Sequence, residues 1–152
     1  MRRLLNRLRP RRRATRPRAG GDVISYAPRA DGKPDPGEVV WAWVAYEDDP
    51  RQGKDRPVLV IGRRGAQLLG LMLTSKDHDR DAADEARYGR YWLDVGSGGW
   101  DREGRPSEVR LDRLLVLDPG AVRREGAALD RRRFDDVIDA ARPHLARSHR
   151  PS

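Results

Sequence analysis

Three apolar runs between residues 39 and 74 constrain this chain more than any other feature. VVWAWVAY (39–46), PVLVIG (57–62) and QLLGLMLT (67–74) are short, and dense in β-branched, aromatic and aliphatic residues, so each reads as a strand. In the first, Val39, Trp41 and Trp43 fall on one face and Val40, Ala42 and Val44 on the other, which predicts a strand covered on both sides. The second is entered through Pro57, a residue that strands tolerate at their first position. Arg63-Arg64-Gly65-Ala66 supplies a hairpin turn into the third, where Gly70 marks a bulge or a close backbone approach. EDDPRQGKDR, between the first two, reads as a polar loop. These runs predict an antiparallel meander at the heart of the fold.

Beyond it, residues 75–90 are too polar for a core element, although Ala82, Ala83 and Ala86 suit one or two exposed helical turns. YWLDV (91–95) is a further strand, closed by the Gly96-Ser97-Gly98-Gly99 turn. SEVRLDRLLVLD (107–118) alternates with Val109, Leu111, Leu115 and Leu117 inward, as one long strand or two joined at a bend. Asp130 is a good N-cap for a helix whose apolar stripe is Phe134, Val137, Ile138, Ala141 and Leu145, with Pro143 expected to kink or end it. Short antiparallel strands plus one terminal helix predict an α+β fold, a small antiparallel β-barrel with a C-terminal helix.

Charge divides the chain. Nine arginines and no acid lie in residues 1–18, leaving 23 basic against 24 acidic residues for the remainder, so the net charge of +8 belongs to the N-terminus. Residues 1–36 are rich in Arg, Pro and Gly and read as a disordered extension, either a solvated tail or a polyanion clamp. The expected domain runs from 37 to 146, with a disordered tail at 147–152. The chain has no cysteine, which excludes disulfide frameworks, zinc ribbons and thiol catalysis. No run approaches the ~20 apolar residues of a membrane span, and Leu4, Leu5 and Leu8 are too few for a secretory leader. The expectation is a cytoplasmic protein with no membrane association.

The sequence has no P-loop, no HExxH and no GxSxG. His78 lies in Asp77-His78-Asp79-Arg80-Asp81, which reads as a solvated charge run rather than a metal cluster, and no metal or cofactor is expected. Arg56 and Thr74 remain. One closes the polar loop and the other ends a neighbouring strand, so in a hairpin of this length both emerge at the same end of the barrel. A guanidinium and a hydroxyl at one rim suit a phosphate. RNA brings its own nucleophile in the 2′-hydroxyl, so such a site needs to supply only positioning and charge stabilisation. Spacing alone leaves the plainer alternatives open: a solvent-exposed charge at a strand start, and an ordinary β-branched strand residue.

The string GEVVWAWVAYEDDPRQGKDRPVLVIG followed by LLGLMLTS resembles the PemK/MazF family of toxins from type II toxin-antitoxin systems. That family's pattern is a G-[DE]-[IV] strand, a Gln-Gly loop, R-P-[VA]-[LV]-V and a strand ending in Thr or Ser; PSEVRLDRLLVLD resembles its S-x-V-x-L-[DE]-x-[ILV] segment. Gly37 to about Arg142 is covered. The resemblance implies an SH3-like barrel, a homodimer, a cognate antitoxin protein as partner, and metal-free cleavage of single-stranded RNA to 2′,3′-cyclic phosphate and 5′-hydroxyl ends. It makes Arg56 and Thr74 the catalytic pair, gives Gln52 and Gly53 to a substrate-gating loop and sets Ser107 near the RNA groove; Lys54 and Ser75 join the substrate-binding set as their neighbours. Asp49-Pro50-Arg51 replaces the usual G-S-E, so the loop is differently charged, and Trp41, Trp43 and the Arg-rich extension depart from the best-known members. Two other readings stay open: a non-catalytic barrel that binds RNA or a peptide, and a DNA-topoisomerase poison of a related family, acting at DNA through the C-terminal helix.

Overall fold

The computed structural model describes residues 21–75, 91–123 and 127–148. Its strands are β1 (Val23–Ile24), β2 (Val39–Ala45), β3 (Gly53–Arg64), β4 (Gln67–Ser75), β5 (Trp92–Gly96), β6 (Ser107–Arg110) and β7 (Leu115–Leu117), followed by helix α1 (Arg131–Ser148). All pairings are antiparallel. The β3–β4 hairpin lies at the centre, turned by Gly65-Ala66 with Gly65 at φ +60°, a conformation glycine adopts without strain. β2 and β1 follow one another along the outer edge of β3, and β6 and β7 share the outer edge of β4. β5 extends the sheet beyond β6. The result is a curled antiparallel half-barrel with one C-terminal helix, an SH3-like barrel of the kind the resemblance implies.

Both faces of the central hairpin are buried. Leu59, Ile61, Leu69, Leu71 and Leu73 pack with Phe134, Val137, Ile138 and Ala141 of α1. Val58, Val60, Leu68 and Met72 point the other way, onto Val40, Ala42 and Val44 of β2 and Leu115 of β7. This is why β3 and β4 read as near-continuous apolar runs, whereas β6, β7 and α1 show a periodicity. Among the described residues no helix is long and apolar enough to cross a membrane.

Several expectations need correction. β2 is not covered on both sides along its length: Val39 is buried but Trp43 is 52% exposed, because the cluster around α1 ends before it. The polar loop is shorter than expected, since Gly53–Arg56 continue β3 by pairing with Ala42–Ala45. Segment 107–118 is the second of its two expected arrangements, two strands, bonded to different stretches of β4. The Gly96–Gly99 turn is the start of a connection running to Pro106, because Trp100, 4% exposed, must drop into the core. Pro143 lies inside α1 rather than ending it. The stripe and the Asp130 cap, which accepts from the Arg133 amide at 3.2 Å, are as expected.

The fold also extends past the boundaries drawn at 36 and 146, through β1 before and the end of α1 after. Residues 21–36 are tied down individually. Asp22 takes a two-pronged ion pair from Arg64 at 2.7 and 3.0 Å, the Tyr26 hydroxyl donates to the Leu129 carbonyl at 2.8 Å, and its ring lies 5.0 Å from Phe134. Tyrosine supplies both apolar area and a polar handle, so one residue anchors a segment that composition alone makes look unfoldable. The Arg-rich residues 1–18, the His78 run and Ala82, Ala83 and Ala86 lie outside the described residues.

Gly70 is a close approach rather than a bulge; the register shift sits opposite it, between Val60 and Gly62. A Cβ there would overlap Val58 Cγ1 and stand 3.1 Å from the Leu59 carbonyl oxygen. Gly70→Ala is therefore expected to cost about 1–3 kcal/mol by overpacking, read as a lower urea midpoint with an unchanged slope.

Candidate active site

The hydrogen-bond ladder between β3 and β4 stops at Val58 and Met72. Below that point β3 bonds only to β2, through Gly53–Pro57, while Leu73, Thr74 and Ser75 of β4 bond to Val109, Glu108 and Ser107 of β6. The sheet forks there, and a cleft of about 290 Å³ opens in the fork. Arg56 and Thr74 stand two residues past the last rung on either strand, a spacing that keeps both on one face of the hairpin, and both line the cleft. Expected from spacing only to share an end of the barrel, they occupy one site.

Both are half-buried, and neither side chain makes a hydrogen bond or ion pair among the described residues. Lys54, Ser75 and Ser107 line the same cleft. Lys54 is exposed, whereas Ser107 is 2% exposed and its Oγ accepts from the Trp100 indole at 3.1 Å. Ser107 thus holds the floor rather than projecting into the opening. Gln52 and Gly53 do not line the cleft. Gln52 is exposed in the β2–β3 turn, where its carbonyl accepts from the Tyr46 amide at 2.9 Å. Gly53 is required by packing: a Cβ would come within 2.5 Å of the Val44 carbonyl oxygen and 2.6 Å of the Trp43 ring.

Three further lining residues, Trp41, Asp101 and Arg105, belong to no motif. Trp41 reads only as a strand residue; the four-residue spacing of Asp101 and Arg105 is the one signal available, and their ion pair is 3.0 Å long. Asp55 is likewise matched, by Arg123 at 3.1 Å. With the carboxylates paired to arginines, Lys54 and Arg56 remain as cations without a partner among the described residues, and the cleft suits an anion. Behind it Arg110 braces the β2–β3 turn, donating to Glu47 at 2.6 Å and Asp112 at 2.6 Å. Burial works against the Arg110 charge, but its hydrogen bonds to the carboxylates of Asp112 and Glu47 prevail and raise its pKa above the ordinary arginine value. Burial would also push the Asp112 carboxyl up, yet the bond and charge of Arg110 hold it below its usual 3.8.

Comparison with known proteins places this geometry. Residues 35–145 match the model of the "PemK-like, MazF-like toxin of type II toxin-antitoxin system". Among solved structures, MazF from Deinococcus radiodurans aligns with a TM-score of 0.52 at 19% identity, over 76% of this chain and 99% of that one. The MazE-MazF structure from the same organism gives 0.50 at 19%, over 76% and 98%. An endoribonuclease in complex with its cognate antitoxin, from a mycobacterial species, gives 0.51 at 13%, over 74% and 95%. Among curated proteins none matches.

Two outcomes follow from the geometry. Ser107→Ala removes the acceptor of a buried indole N–H and is expected to cost about 1–3 kcal/mol in a denaturant melt. Asp112→Asn is expected to lower Tm at pH 7. The depressed carboxyl of Asp112 contributes stability above its unfolded-state pKa and loses it as pH falls through the lower folded value, so the gap between variant and wild type closes toward strongly acid pH.

Proposed function

The chain belongs to the PemK-like, MazF-like toxins of type II toxin-antitoxin systems, and on that premise we propose that it is an endoribonuclease cleaving single-stranded RNA without metal, at the fork between β3 and β4. The observation that carries this is the meeting of Arg56 and Thr74, both without polar side-chain partners among the described residues, in one cleft whose acids are neutralised.

In this reading the RNA backbone enters the fork with its scissile phosphate against Arg56. The guanidinium donates to the non-bridging oxygens and stabilises the charge that builds on them as the phosphorane forms. Thr74 donates from its hydroxyl to one of those oxygens and fixes the phosphate's rotation. The 2′-oxygen attacks phosphorus and its proton passes to solvent. The bond to the 5′-oxygen breaks, that oxygen takes up a proton, and the products are a 2′,3′-cyclic phosphate and a 5′-hydroxyl. Lys54, exposed at the rim, draws in the adjoining phosphate, while Ser75 and Ser107 shape the wall that Thr74 extends. Gln52 and Gly53 act from the turn above, as a gate rather than as contacts to phosphorus. The protein works in the cytoplasm as a homodimer, held in check by a cognate antitoxin protein, and requires no cofactor.

Purified protein in EDTA is expected to cut single-stranded RNA and leave those ends; 3′-hydroxyl products would sink the mechanism. Arg56→Ala should lose about 100-fold in cleavage, in line with removal of one oxyanion donor. Arg63→Ala, at the far end of β3, should stay within about twofold of wild type if the effect is local, as a site of this kind requires. Thermal melts of both variants establish that each is folded, and equal losses would mean that bulk charge rather than a site holds the phosphate.

A further inference from the structure

A second cavity, of about 590 Å³, adjoins the fork and shares Trp41, Asp101 and Arg105 with it, so the two form one continuous surface. Its volume falls in the range of small-ligand sites, and it takes in far more than one phosphate. The wall common to both is Trp41, half-buried and fixed by donation from its indole N–H to the Trp100 carbonyl at 3.1 Å. Its backbone is held on the side away from β3 by a two-way bridge to Arg123, at 2.9 and 2.8 Å. A tryptophan clamped at its polar edge and its backbone is a rigid aromatic wall at low entropic cost.

The cavity's polar groups are mostly spoken for. Asp101 accepts from Arg105 and from the Glu103 amide at 2.8 Å, and Arg123 is paired with Asp55. Among its charged lining groups only Arg102 has neither an ion pair nor a hydrogen bond among the described residues. What the cavity offers is therefore an aromatic wall and one free guanidinium, beside a phosphate-binding fork.

Resting on the RNA-cleaving reading above, we propose that this cavity is a nucleobase subsite: the base next to the scissile phosphate stacks on Trp41 and turns an acceptor edge toward Arg102. Unpaired bases stack on aromatic side chains whatever their identity, which explains a wall without hydrogen-bonding groups of its own. The two-pronged guanidinium supplies the choice, since guanine presents O6 and N7 side by side as paired acceptors. Guanine is the base the subsite prefers.

The test is cleavage of an RNA pool randomised around the cut, with fragment ends sequenced, for wild type, Trp41→Phe, Trp41→Ala and Arg102→Ala. Wild type is expected to favour guanine at one flanking position by about tenfold. Arg102→Ala should flatten that preference, losing several-fold more rate on pools with guanine at that position than on pools without it. Trp41→Ala should lose about tenfold or more in kcat/KM at that position, with Trp41→Phe close to wild type. A wild type without base preference there, or variants that lose rate equally for all four bases, would overturn the subsite. Arg102 is exposed, so its variant keeps the test decisive even where Trp41→Ala fails to fold. A non-cleavable 2′-deoxy oligonucleotide carrying 6-thioguanine separates the two readings. Photocrosslinking to Trp41 in a protein that cuts no RNA would retain the subsite and overturn the ribonuclease. Cleavage without crosslinking at Trp41 would do the reverse.

Discussion

The ladder between β3 and β4 ends at Val58 and Met72, while both strands continue beyond it. Every amide and carbonyl past that rung must still be satisfied, and a buried orphan costs about as much as a lost hydrogen bond. β2 takes up the outer edge of Gly53–Pro57 and β6 that of Leu73–Ser75, so each strand keeps a partner as the two part. The cleft is the space this leaves. Because each wall stays paired along its outer edge, Arg56 and Thr74 project from strands rather than from loops, which holds a site on them in place.

The surroundings of the fork serve the same end. Trp41 donates to the Trp100 carbonyl and Trp100 donates to Ser107, so one short chain of bonds links the edge of β2, the core and the floor of the cleft. Arg123 and Arg105 neutralise the two aspartates that would otherwise repel an anion. Arg110 ties the β2–β3 turn to β6 through Glu47. Among the described residues Lys54, Arg56 and Arg102 have no ion pair. Such a surface, its acids neutralised and part of its positive charge unmatched among the described residues, suits an anion.

Much of the frame was legible. β3 and β4 are buried on both faces, and their apolar runs say so; α1 declares itself by its stripe and its Asp130 cap. The errors have specific causes. Gly53–Arg56 look like loop because their side chains are polar, yet strand formation there is set by the partner β2 and not by their own propensity. Residues 21–36 look unfoldable by composition, which averages away the single contacts made by Asp22 and Tyr26. Pro143 forgoes one helical hydrogen bond, and α1 continues because its apolar stripe remains packed on the sheet on the N-terminal side of that gap.

By itself the sequence determined the strands of the central hairpin and the terminal helix, because burial and period are local properties written into consecutive residues; Arg56 and Thr74 were singled out as a catalytic pair only by the family resemblance. It did not determine that Ser107 is buried, that Gln52 and Gly53 stand outside the cleft, or that Trp41 is a wall shared by two cavities. Those were decided by where the β3–β4 ladder stops and by the loop that brings Trp100, Asp101 and Arg105 back to β2 across some 60 positions of chain, with Trp41 and Trp100 bonded at a separation of 59. Such contacts depend on strand register and on the curl of the sheet, which arise only when all the strands are assembled, and no window of adjacent residues contains them.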